Sequence, residues 1–183
     1  MATFTFSNGQ YIGSVIETYA GNPAFVWLKD FTFSGSATAR FNDCFSRDYD
    51  SYHVVGTMGS STNNYMRIAF TRNETSLGSV HQHALTAVIY ATGITSVGGT
   101  GAVGSSLWNV GGTTSGLLSM TIHNPYLTTT YTNYEWQAEN GGTGYTFGAG
   151  RALSLQRVNG FQLTNAGGGT VNGSLSLYGI RKS

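Results

Sequence analysis

Apolar and polar residues alternate one by one through most of this chain, and Gly, Asn and Ser interrupt the alternation about every ten to fifteen residues. A period of two sends successive side chains to opposite faces of a strand, so a chain written this way builds sheets. Met66, Ile68 and Phe70 stand opposite Arg67 and Thr71, Leu118, Met120 and Ile122 form one inward face, and Tyr134 and Trp136 stand opposite Glu135. Helices need Ala, Leu, Glu and Lys in quantity. This chain is poor in them and carries 26 glycines and 2 prolines. The pattern predicts an all-β fold, an antiparallel two-sheet sandwich of jelly-roll-like type. At 183 residues, a single domain over 1–183 is expected. Within it, residues 1–30 serve either as ordinary strands or as an N-terminal arm contacting partners.

The stretch from Arg40 to Gly56 has two parts. Phe41, Phe45, Tyr49 and Tyr52 are three or four residues apart, a spacing that suits a compact turn. From Tyr52 a strand begins, with Tyr52 and Val54 on one side, His53 and Val55 on the other, and Gly56 as its end. An aromatic plug feeding a strand is a core-nucleating device. Cys44 is the only cysteine, which excludes an intrachain disulfide and a cysteine zinc site; it reads as a small apolar filler.

Other strands are expected at residues 2–6, Tyr11 to Tyr19, Phe25 to Leu28 and on to Phe33, Tyr65 to Arg72, Ala84 to Tyr90, and Tyr131 to Ala138. Phe161 to Leu163 and Ser174 to Ile180 make a closing pair. Leu85, Ala87 and Ile89 oppose Thr86, Val88 and Tyr90, so both faces of that strand are moderately apolar, as in a sandwich interior or at a subunit contact. Ser96 to Gly116 reads as a long Gly- and Ser-rich loop, a type that commonly carries function or meets a partner.

Charged residues make up 9% of the chain, against about 25% in an ordinary soluble domain. Either a large part of the surface is covered by other copies or partners, or Ser, Thr and Asn wet it. A net charge of +1 leaves no electrostatic footprint for nucleic acid or an anionic membrane. The first residues lack a basic and an apolar segment of the signal-peptide kind. Apolar runs fall far short of the ~20 residues a bilayer requires. Cytoplasmic synthesis and a soluble product without membrane insertion are expected.

Gly99 to Gly104 spells G-x-G-x-x-G, but Ser-Ser-Leu-Trp-Asn-Val follows where a phosphate-binding helix would have to start, so a flexible loop is expected. His81 and His83 are two apart and share a strand face. Three copies around a three-fold axis would offer six imidazoles to a transition metal, whereas a plain exposed or hydrogen-bonded pair needs no metal. The acids include Glu135 and Glu139 but match no motif of recognised catalytic mechanics, so no enzymatic activity and no cofactor are expected. Trp108, Tyr126, Tyr131 and Trp136 lie near turns and could anchor an interface or stack on sugars. Of these, Trp136 is expected in the core and Trp108 outside it.

The segment Phe31-Thr-Phe-Ser-Gly-Ser-Ala-Thr-Ala-Arg-Phe-Asn-Asp-Cys-Phe-Ser-Arg-Asp-Tyr-Asp-Ser-Tyr-His-Val-Val55 resembles a segment of structural proteins of tailed bacteriophages, cyanophages among them. Phe41, Cys44, Phe45, Tyr49 and Tyr52 carry the likeness. Gly160-Phe-Gln-Leu163 with Gly173 to Ile180 is similar to that family's final hairpin, while Arg47-Asp48 departs from the small polar residues usual there. The resemblance implies a jelly-roll virion domain, typically a homotrimer, assembled in the bacterial cytoplasm and displayed on the virion surface. Its partners would be itself and the phage major capsid protein or other virion proteins. A chain starting at Met1 without a fibre stalk leans toward capsid decoration (cement). A fibre tip recognising host polysaccharide is the alternative.

Overall fold

The structure is a computed structural model and describes residues 6–7, 10–11, 25–62, 64–78, 81–101, 105–110, 116–139 and 144–181. Among the described residues there is no helix. The strands are β1 (Phe6–Ser7), β2 (Gln10–Tyr11), β3 (Phe25–Ser36), β4 (Thr38–Phe41), β5 (Ser51–Ser60), β6 (Asn64–Arg72), β7 (Thr75–Ser76) and β8 (His81–Ile89). They continue as β9 (Gly93–Gly101), β10 (Ser105–Val110), β11 (Gly116–His123), β12 (Thr132–Glu139), β13 (Gly144–Ala152), β14 (Gly160–Asn165) and β15 (Val171–Ile180). β1 and β2 pair with each other, and most of the expected Tyr11 to Tyr19 strand lies outside the described residues.

Two antiparallel sheets make the sandwich. The larger has eight strands in the order β3-β15-β5-β11-β12-β13-β8-β9; the smaller runs β10-β6-β14-β4, with β7 also on β6. The chain repeatedly steps between layers, from β4 to β5 to β6 and from β10 to β11, which gives the jelly-roll-like weave. The alternation read from the sequence sets the layering. Tyr52, Val54, Leu118, Met120, Ile122, Tyr134 and Trp136 of the larger sheet face Met66, Ile68, Phe70, Phe161 and Leu163 of the smaller, all buried. Fully burying one such side chain stabilises by about 1.5–3 kcal/mol relative to exposure, and two facing sheets supply many.

The expected aromatic plug is a turn between β4 and β5. Phe41 stacks on Phe161 with centroids 4.2 Å apart, and Phe31 meets Phe41 edge-on at 4.7 Å. The Tyr52 hydroxyl accepts from the Ser46 N–H at 2.6 Å and donates to the Ser46 carbonyl at 2.9 Å, which clips the turn to its strand. Cys44 fills the core beside it, and burial pushes its thiol up to about 12. From the far side, the Asn159 carbonyl accepts from the N–H groups of Cys44 and Phe45, and its side-chain amide donates to Asp43.

The structure corrects three expectations. β5 continues through Gly56 to Ser60; a side chain at Gly56 would collide with the Ser174 carbonyl of β15, so this glycine permits close strand approach and does not end the strand. The supposed loop from Ser96 is β9 as far as Gly101, followed by β10, because strand pairing uses backbone groups that glycine also owns. β13 was not read from the sequence at all. Its inward positions Gly148 and Gly150 lie under the rings of Trp136 and Tyr134, so the apolar signal of that strand sits on its neighbour.

Candidate functional site

The inner face of the eight-stranded sheet is spent on the core, so its outer face is the broad surface open to chemistry. Strand register sets side chains there in rows. One runs Ile94, Val88, Tyr145, Glu139; the next runs Ser96, Thr86, Phe147, Gln137, Ser119, Val55. A third runs from Gly98, Ala84 and Ala149 to Glu135, Thr121 and His53. Small residues in that third row leave an open trough of about 750 Å³ beside Phe147, with Glu135 and Gln137 along it. Phe147 is 48% exposed. Glu135 lies beside His123, whose Nε2 is 3.9 Å from its Oε1. Serine and threonine hydroxyls line the rest. Such a surface can hydrogen-bond and stack, and two of its hydroxyls meet imidazoles, Thr121 Oγ1 at 3.3 Å from His53 Nδ1 and Ser51 Oγ at 2.9 Å from His123 Nδ1.

A second cluster on this face was missed in the sequence. Trp27 is 58% exposed, and its Nε1 donates to Asp30 Oδ1 at 3.2 Å. Ser176 donates to the same oxygen at 2.6 Å, and these bonds, Ser176 first, hold the Asp30 carboxyl below its ordinary range. Trp27 and Asp30 have opposite parity along a regular strand. They share a face because the register of β3 on β15 shifts between Trp27 and Lys29, a bulge that alternation alone cannot reveal.

His81 and His83 do share a face, but it is the inward one, the face of Leu85 and Ala87. His81 is 2% exposed, stacked on Phe70 at 5.8 Å and set edge-on to Tyr134 at 6.3 Å. Burial lowers its imidazole to about 4, with His83 contributing. Enclosure of His81 within its own sandwich speaks against a meeting of three copies at a metal, while His83 on the same face is half-buried. Neither Nδ1 has a hydrogen-bond partner among the described residues. No grouping of three or more His, Cys, Asp or Glu that could hold a metal occurs among the described residues.

The aromatic candidates separate. Trp136 is buried in the core, as its inward parity implies, and is therefore withdrawn as a binding residue. Tyr126 and Tyr131 lie in the turn after β11, where the guanidinium of Arg157 stands 4.5 Å over the first ring and that of Arg151 5.6 Å over the second. The Val158 N–H donates to the Pro125 carbonyl and ties this turn down. Trp108, on β10, pairs through its backbone with Met66 of β6; its side chain is outside the described residues. Glu135 and Glu139 share the outer face of β12, but four strand residues hold their Cα atoms about 13 Å apart.

The sequence carried one further signal. Between Glu74 and Glu135 there is no Asp, Glu, Lys or Arg. That run builds β8, β9, β10 and β11. The topology puts β9 at one edge of the larger sheet and β10 at an edge of the smaller, and β10 lies against β8 and β13. The charge-free β8, β9 and β10 thus lie on one side of the sandwich, while β11 sits mid-sheet between β5 and β12. No family model matches the chain, and no curated protein matches it.

Proposed function

We propose that this chain is a structural subunit of a tailed-bacteriophage virion, a capsid decoration protein that binds the outer capsid surface as a homotrimer and stabilises it. The observation that carries the reading is the uncharged side of the sandwich, continuous with an outer face on which Leu117, Tyr145, Phe147 and Ile94 are exposed. Exposed apolar surface on this scale marks interaction surface. The likeness of the Phe31 to Val55 segment to phage structural proteins supplies the setting.

The work such a protein does is adhesion, with no bond made or broken. Each Å² of apolar surface removed from water contributes roughly 25 cal/mol, and a stable contact buries about 1,200–2,000 Å². Copies seated where capsid subunits meet would add that energy to the shell in its closed state only, so the shell would resist heat and expansion better. The test is co-sedimentation of purified protein with tailed-phage heads stripped of their decoration. Pelleting with the heads and a raised rupture temperature are expected; protein that stays in the supernatant at micromolar concentration overturns the reading.

A second reading, a fibre-tip module recognising host polysaccharide, is favoured by the trough beside Phe147. Glu135, Gln137 and the hydroxyls there suit sugar hydroxyls, and the Phe147 ring suits a pyranose face. Host-polysaccharide binding that disappears in Phe147→Ala would favour it over decoration.

A further inference from the structure

An edge strand presents unpaired N–H and C=O groups, and natural proteins blunt it with charge, proline, a bulge or a cover. The larger sheet treats its two edges differently. β3 carries adjacent Lys29 and Asp30, the bulge between Trp27 and Lys29, and Gly35 in a left-handed conformation at φ 63°. At the opposite edge, β9 pairs with β8 residue for residue from Gly93 to Gly101 with no register shift. It contains neither charge nor proline. β10 ends the smaller sheet on the same side and is equally free of both. Tyr90 and Ile94, 64% and 73% exposed, stand at the tip of the hairpin joining β8 to β9.

We propose that the rim formed by β9 and β10 is a self-association seam, on which a second copy of this chain adds its own rim strand to the open edge. The proposal rests on the assembly role above and gives it a location. The occupant is a copy on grounds of charge and supply. A basic or acidic partner finds no counter-charge from Glu74 to Glu135. Every copy, by contrast, brings two uncharged edges left open among the described residues, so β9 of one can pair with β10 of the next. Such a contact joins different surfaces head to tail, and head-to-tail contacts whose rotation closes make rings, as a three-fold assembly requires. Backbone pairing supplies the bonds, and the apolar side chains of Ile94, Val88 and Tyr145 continue from the rim into the region a neighbour would shade.

The experiment compares Ile94→Lys/Thr95→Lys with Thr32→Lys on the opposite edge, by light scattering at micromolar concentration. Both rim positions are exposed, so the core is untouched. The unaltered protein is expected at a multiple of 19.5 kDa, the rim variant at 19.5 kDa, and the β3 variant at the unaltered mass. A rim variant that keeps the full mass, or an unaltered protein at 19.5 kDa, overturns the seam. A second measurement covers a rim variant that misfolds. Cys44 is buried with its thiol pushed up to about 12, so an introduced cysteine reacts alone. In a mixture with copies of Ser106→Cys on β10, a short bis-maleimide should join copies of Ser96→Cys but not of Thr32→Cys; equal joining of both, or of neither, overturns the seam. Heads that bind protein lacking this seam leave the decoration role standing, whereas a seam without head binding removes that role alone.

Discussion

Trp136 of β12 lies across its register partner Gly148 of β13, so closely that a methyl group on Gly148 would stand 2.6 Å from the indole Cζ2. Tyr134 does the same one pair along, where a methyl on Gly150 would stand 2.5 Å from its hydroxyl. Two large rings thus take the volume of two absent side chains, and the pairs pack as units.

Gly148→Ala should therefore lower stability by about 1–3 kcal/mol, the usual cost of inserting a methyl into a filled core. Urea unfolding followed by tryptophan fluorescence measures it. Gly98→Ala on β9 is the control, since the nearest atom to its methyl would be 3.6 Å away. Its effect should stay within about 0.5 kcal/mol. Equal effects at the two glycines would mean that the Trp136 contact does not decide the cost.

Phe41 sits between the layers, stacked on Phe161 and flanked by Phe31 and Phe33, with no exposed surface. Phe41→Ala removes the member that the others share and should cost about 3–5 kcal/mol. Thermal unfolding should show the loss, with Phe41→Leu intermediate because it keeps most of the volume.

These packing relationships divide into what alternation reveals and what it hides. The inward sets of β6, β11 and β12 were legible because each strand keeps a strict period of two, and Tyr52 marked the start of β5 for the same reason. β13 was hidden because its inward positions are glycines filled by another strand. The β9 and β10 pairing was hidden because Gly and Ser leave the hydrogen-bonding groups intact and remove the side-chain pattern. Trp27 and Asp30 were hidden by a bulge, which changes parity without changing composition. His81 was partly legible: it has the parity of Leu85, and that parity pointed inward.

The burial of His81 sets a pH dependence. Its folded imidazole titrates at about 4 and its unfolded one at the ordinary 6.5, so between those values the unfolded chain binds more protons. Stability from neutral His81 is complete above pH 6.5 and is lost as pH falls toward 4. Burial lowers His53 and His83 in the same direction. Over that window the loss from His81 is about 3 kcal/mol. Denaturation midpoints measured across the window should fall with pH. His81→Phe, which keeps the stack on Phe70, should flatten the slope; an unchanged slope would assign the titration elsewhere.

Salt separates a seam without charges from one held by ion pairs. The ionised groups of the outer face, among them Asp30, Glu135 and Arg151, come from β3, β12 and β13, whereas β9 and β10 contribute none. Ionic strength of 1 M shortens the screening length from about 10 Å at 0.1 M to about 3 Å, which would loosen exposed ion pairs. Contacts made by backbone pairing and apolar burial are unaffected by screening, and sulfate strengthens burial. The oligomer mass should therefore hold in molar sodium chloride and in sulfate, and fall in urea below the unfolding midpoint. Dissociation by sodium chloride would move the contact to the charged strands at the other side of the sheet, where Lys29 and Asp30 could pair across copies.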